Sequence, residues 1–160
     1  MTSRAPSGGA DLHSRVAACS HAAMKMLMFH VREFWYRTHT RNLDSEEERE
    51  EEGEAAGPAV LAWLQVESTD LADPAACARR VAKNLKWLAR KVEVRRVVLH
   101  SFAHLSSDRA EPEAAQGVLD DVARRLRGVD YEVLETPWGY FNEFRMHVEG
   151  AGIAKVFKEW

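Results

Sequence analysis

The residues best suited to chemistry in this sequence lie in one short stretch, Ser101-Phe102-Ala103-His104-Leu105-Ser106-Ser107. An imidazole followed by two hydroxyls can orient a polar substrate or move a proton, because histidine titrates closer to neutrality than other side chains. Two readings of His104 are open at this level: a site residue, or a histidine that bonds the backbone of its own loop. Ser106 and Ser107 are open in the same way, since serine hydroxyls in turns commonly bond nearby peptide groups. A second stretch, Thr136-Pro137-Trp138-Gly139-Tyr140-Phe141-Asn142-Glu143-Phe144, brings rings on which an unpaired base could stack. Core packing is an equal reading for Trp138. The seven histidines invite a metal hypothesis. The spacing of His30, His100, His104 and His147 matches no standard ligand set, and no metal or other cofactor is expected. A phosphate-cradling Gly-rich loop, an HExxH helix, paired CxxC motifs and a GxSxG elbow are all missing from the sequence.

Elements that could carry these two stretches follow from the periodicity. Residues 25–31 form a short apolar strand pattern, and the aromatic run 34–38 reads as a second strand paired to it. The acidic run 46–52 reads as a solvated loop or frayed helix, with nothing to hold its carboxylates in a coordination geometry. Residues 59–66 read as a central strand. Asp73 followed by Pro74 caps a helix predicted to run to Lys91, with Ala78, Val81, Leu85 and Leu88 inward. Its other face collects Arg79, Arg80, Lys83, Lys86, Arg90 and Lys91, with Arg95 and Arg96 beyond. That face fits either a solvated surface or a contact with phosphates, the former being the commoner situation. Residues 96–102 form a strand that delivers the His104 stretch. Glu111-Pro112 opens a second amphipathic helix, which Gly128 ends. Strands are then expected over 131–134, 140–148 and 153–157. In 140–148, Tyr140, Asn142, Phe144, Met146 and Val148 share one face. Strands alternating with two helices predict an α/β sandwich: a mixed sheet with two main helices packed on it.

Bulk properties bound the class. A chain of 160 residues, 46% hydrophobic and 29% charged, fits one globular domain. A formal net charge of -3 neither favours nor excludes nucleic acid, because local patches decide. Cys19 and Cys77 fall in dissimilar settings, which argues against a disulfide framework or a zinc site. With no apolar run of about 18 residues and no secretory h-region, neither a membrane partner nor export is expected, leaving a cytoplasmic location. Residues 1–23 read as a disordered arm and 24–160 as the folded domain.

The strand-delivered FAHLSS (residues 102–107), the segment TPWGYFNEFRMHVEG (136–150) and the opening MKMLMFHV with Val66-Glu67 resemble the editing domain of archaeal threonyl-tRNA synthetases. No synthetase catalytic or anticodon-binding domain accompanies them, so the resemblance is to a freestanding version. It implies a D-aminoacyl-tRNA deacylase-like sandwich, a homodimer, aminoacyl-tRNA (threonine tRNA) and a threonyl-tRNA synthetase as partners, and removal of serine mischarged onto threonine tRNA. In that chemistry the 2′-hydroxyl of the tRNA assists the attacking water. The resemblance makes His104 and Asn142 the catalytic candidates. Val66, Ser101, Ala103, Trp138, Tyr140, Phe141 and Lys155 become the substrate-binding ones. Four positions depart from the family pattern: Asn142 stands for a lysine, Lys155 for a glutamate, Ser101 for a proline and Phe141 for a tyrosine. Two other functions are compatible with those departures, a tRNA- or synthetase-binding module with little or no turnover, and a deacylase for another mischarged or D-aminoacyl-tRNA.

Overall fold

The computed structural model describes residues 24–160. The expected N-terminal arm and Cys19 lie outside them. The elements are β1 (Lys25–Arg41), β2 (Glu52–Ala55), β3 (Ala59–Gln65), α1 (Pro74–Lys91), β4 (Arg96–Ser101), α2 (Pro112–Arg127), β5 (Glu132–Glu135), β6 (Tyr140–Val148) and β7 (Lys155–Glu159), all seven strands in one sheet. Single 3-10 turns occupy Ser68–Ala72 and Gly152–Ala154.

β1 is the strand every other part is referred to. Lys25 to Phe29 pair with β3 on one side and β7 on the other, while Phe34 to Arg37 pair with β2 and β6. Thus β2 and β3 follow one another along one edge of β1, and β6 and β7 along the other. β4 and β5 extend the β3 side in parallel. Two expected strands are therefore one: residues 25–31 and 34–38 do not pair with each other but continue through a bulge. Between Val31 and Glu33 the register gains one residue on β1 relative to β6, and a second irregularity lies between Thr38 and Thr40. A bulge breaks the period of two, which is why the run reads as two strands in the sequence. The acidic run also departs in part from expectation, since its last glutamate opens β2. The final strand begins at Lys155 rather than Ile153, which belongs to the preceding 3-10 turn.

Both helices pack on one face. Leu85 and Leu88 of α1 and Val122 and Leu126 of α2 join Met26, Met28, Ala62, Leu64 and Val97 in a continuous core. Asp73 caps α1 by accepting from the Ala76 amide at 2.9 Å, as its place before Pro74 predicts. The opposite face is covered by the sheet itself. Phe34, Tyr36, Phe144 and Met146 from β1 and β6 pack with Leu61, Trp63 and Val98. Phe144 stands edge-on to both Trp63 and His100, at 5.7 Å in each case. The bulged strand bends, so the far half of β1 carries β6 back over β3 and β4. That fold-back brings the start of β6 to the C-terminal ends of β3 and β4. It is the step that makes a site.

Candidate functional site

A cavity of about 380 Å³ lies where these ends meet, a size suited to a small-molecule or nucleotide moiety. β3 contributes its end (Leu64, Gln65) and the following Val66. β4 contributes His100 and Ser101 and the loop after it, which carries Phe102, Ala103 and His104. The 137–140 turn and the start of β6 close the far side with Trp138, Gly139, Tyr140, Phe141 and Asn142. Eight of the nine residues expected at a site thus share one cavity: Val66, Ser101, Ala103, His104, Trp138, Tyr140, Phe141 and Asn142. Lys155 does not line it. Its Nζ donates to the Glu149 carbonyl at 3.0 Å, and the residue sits opposite Phe29 on β1.

The loop after β4 is fixed by β3. The Leu64 carbonyl accepts from the Phe102 amide at 2.9 Å, and the Val66 carbonyl from the Ala110 amide at 3.0 Å. Between them Gln65, 2% exposed, uses both ends of its amide. Oε1 accepts from the Leu105 and Ser106 amides at 2.5 and 2.8 Å, and Nε2 donates to the Ser106 and Asp108 carbonyls at 3.0 and 2.7 Å. Ser106 Oγ accepts from the Asp108 amide at 3.2 Å, so its hydroxyl serves the turn. Asp108 in turn accepts from Ser68. This anchored loop leaves His104 exposed at the cavity mouth, its ring edge-on to Phe102 at 5.4 Å, and Phe102 stacked on Trp63 at 4.6 Å. Glu67, next to Val66, is buried in an ion pair with Lys25 at 2.6 Å.

His100 is different in kind. It is 7% exposed, and its Nδ1 lies 2.9 Å from Thr136 Oγ1, linking β4 to the segment that enters the 137–140 turn. Burial pushes its pKa down to about 4, so the imidazole is neutral near pH 7. On the far wall, Trp138 is half-buried against the helix-side core, while Phe141 is 52% exposed. Asn142 Nδ2 reaches the Pro137 and Tyr140 carbonyls only at 3.5 and 3.4 Å, and its buried Oδ1 has no hydrogen-bond partner.

Tyr140 is held by the acidic loop. Its hydroxyl donates to the Glu47 carbonyl at 2.5 Å and accepts from the Arg49 amide at 3.0 Å, with the Arg49 guanidinium 5.5 Å from the ring centre. The Asn42 and Leu43 amides both donate to the Gly139 carbonyl. Gly139 has φ of 73°, and a Cβ there would meet Glu46 Cγ at 2.5 Å, so turn and loop fit only around glycine. Residues 42–51 are therefore a strap docked against the cavity wall, and Leu43 lines the cavity itself.

Two lining residues have no signal in the sequence. Gln65 is a polar residue at the end of an apolar strand, where periodicity says only that it points away from Leu64. Arg109 is an exposed cation, one of many, until the fold sets it at the cavity.

Residues 24–160 match the family described as the archaea-specific editing domain of threonyl-tRNA synthetase. The chain belongs to that family. Among curated relatives, the editing domain is 30% identical over 135 residues to a threonine–tRNA ligase of Thermococcus gammatolerans, a match covering 83% of this chain and 22% of the ligase. It is 28% identical over 142 residues to the Hyperthermus butylicus ligase, covering 86% and 23%. The chain thus spans about a fifth of the length of these relatives. A solved structure of a c-Myc DNA unwinding element binding protein aligns with a TM-score of 0.53 at 12% identity, covering 85% of this chain and 98% of that one. At that identity the likeness is one of fold, and it is the deacylase-like sandwich expected from the sequence. No helix among the described residues is long and apolar enough to cross a membrane.

Proposed function

We propose that the cavity receives the aminoacylated 3′ end of threonine tRNA and that the protein hydrolyses serine wrongly attached there. The observation that carries the reading is the convergence in one cavity of the β3 end, the His104 loop and the Trp138–Asn142 wall, in a chain of the editing-domain family. A synthetase pocket built for threonine cannot reject the smaller serine by more than about 1–3 kcal/mol per methyl-sized difference, which is the physical need for a second site. Val66 bounds the amino-acid end, and Trp138 and Phe141 offer faces for the terminal base. The 2′-hydroxyl of the terminal adenosine holds the attacking water. As the water oxygen bonds to the ester carbonyl carbon, the bond to the 3′-oxygen breaks and that oxygen takes up a proton. The protein's share is position: Ala103 and His104 lie beside the aminoacyl group, and Asn142 offers neutral amide contacts where the family's lysine would bring a charge. Lys155, remote from this cavity within one chain, has no step in the mechanism. The working form is a homodimer in the cytoplasm, serving a threonyl-tRNA synthetase in trans.

Catalytic amounts of protein should deacylate Ser-tRNA-Thr and spare Thr-tRNA-Thr, and His104→Ala should lower turnover by roughly a hundredfold, the usual cost of mispositioning at a reacting centre. Wild-type protein inert under single- and multiple-turnover conditions would sink the proposal. A second reading, a tRNA- or synthetase-binding module without turnover, is favoured by the unpartnered Asn142 Oδ1 and the distant Lys155. It predicts saturable binding with no loss of ester.

A further inference from the structure

The exposed face of α1 is unlike any other charged surface of the domain. The helix sequence PAACARRVAKNLKWLARK holds six Lys and Arg and no Asp or Glu. Residues three and four apart on a helix are neighbours, so Arg79, Lys83, Lys86 and Arg90 form a stripe of like charges that repel one another. None of the six is in an ion pair among the described residues. On α2 the contrast is complete: Arg124 and Arg125 pair with Asp121, and Arg127 with Glu135. The favourable effect of cations at a helix C-terminus accounts for Arg90 and Lys91 but not for Arg79, Arg80 or Lys83, well before the last turn. A solvated helix face ordinarily mixes its signs, and this one does not.

We infer that this face is the surface on which the phosphate backbone of the tRNA docks, an inference that rests on the function proposed above and extends it. A stripe from Arg79 to Lys91 is about 18 Å long at 1.5 Å per residue and presents a cation on each turn, a linear array suited to a linear polyanion. Trp87, 39% exposed, adds an apolar ring to the same face, with the Lys158 amine 5.6 Å from its centre. Arg80 lies over Trp160 at the same distance, so the patch continues onto the neighbouring C-terminal strand. Its place in the fold is also suitable. α1 follows Val66 after a single 3-10 turn and so leaves the sheet at the end that holds the cavity. A tRNA whose 3′ end enters the cavity can lay its backbone along the helix.

The test is binding of uncharged threonine tRNA to the full chain, followed by fluorescence anisotropy over a range of salt. The variant Arg79→Gln/Lys83→Gln/Arg90→Gln should bind at least about tenfold more weakly at low salt, with the slope of log K against log salt reduced by about 2. The variant Arg124→Gln/Arg125→Gln/Arg127→Gln makes the same charge change at paired residues and should leave both quantities near wild type. Equal losses in the two variants would reduce the effect to net charge and overturn the inference. Wild-type binding by the α1 variant would overturn it as well, leaving an acidic protein surface as the occupant. Because the readout needs no ester, the two proposals fail separately. Binding that depends on α1 without hydrolysis refutes the editing reaction alone, and hydrolysis with unchanged KM in the α1 variant refutes the docking surface alone.

Discussion

Gln65 uses both ends of its side-chain amide to hold the loop that presents Ala103 and His104. Replacing it by alanine leaves two amides and two carbonyls of that loop without protein partners, and the loop is then tied to β3 only through the Leu64 and Val66 carbonyls. Gln65→Ala should cost about 2 kcal/mol in urea unfolding and lower the rate of ester hydrolysis on the order of tenfold through misplacement of His104. An unchanged unfolding midpoint would mean that the two backbone ties suffice. His100 predicts a pH dependence. Its folded pKa of about 4 lies below the ordinary value of 6.5, so the unfolded chain binds the extra proton between those pH values. The stability due to its neutral burial is therefore complete above pH 6.5, declines as the pH falls towards 4, and changes no further below. The full effect is about 3 kcal/mol, and His100→Gln should flatten this part of the stability–pH curve measured by denaturant titration. A curve of unchanged shape in the variant would show that other groups carry it.

The strap over residues 42–51 and the turn at Gly139 work as one element. Tyr140→Phe removes both hydroxyl bonds to Glu47 and Arg49, a loss of about 1 kcal/mol, and should speed tryptic cleavage after Arg49 while leaving the global unfolding transition nearly in place. Equal cleavage rates would indicate that the remaining ties, the Gly139 carbonyl contacts and the bonds that Thr38 and Arg41 of β1 make with Glu46, Arg49 and Glu51, suffice to fix the strap. None of this attachment was legible in the sequence. A run of glutamates carries no period, and its ties are made through peptide groups, which every residue possesses. Elements with a strong period were legible nearly to the residue: α1 through its Asp73-Pro74 start, and β6 through the alternation from Tyr140 to Val148. In the sequence β1 reads as two paired strands because its bulge resets the alternation, and only the pairing of both halves with a shared partner, β6 near Val31 and beyond, reveals continuity. The site followed the same rule. Residues at strand ends were brought together because topology sets where strands end, whereas Lys155, placed by comparison with a family pattern, lies away from the cavity. Gln65 and Arg109 required the fold.

For the molecule as a whole, family membership and the single sheet define a domain that matches about a fifth of its ligase relatives. The same sheet is closed over the face opposite the helices by β6, so the cavity exists only when the last strands are in place. The central position of β1 has a further consequence, for the order in which the chain can fold. As the chain is synthesised, β1 acquires β2 and β3 early, but its other edge waits for β6 and β7, far later in the sequence. Such distant pairing closes slowly, and an open, apolar edge is a template for other chains. A chain ending at Gly139 should retain both helices and β1 through β5 yet associate through the bare edge of β1, seen as aggregation in sedimentation. A soluble monomer would show that the helix-side core stands without its closing strands. Nascent chains thus carry an unpaired edge from the completion of β1 until β6 and β7 follow it, and those two strands act as its release from that hazard.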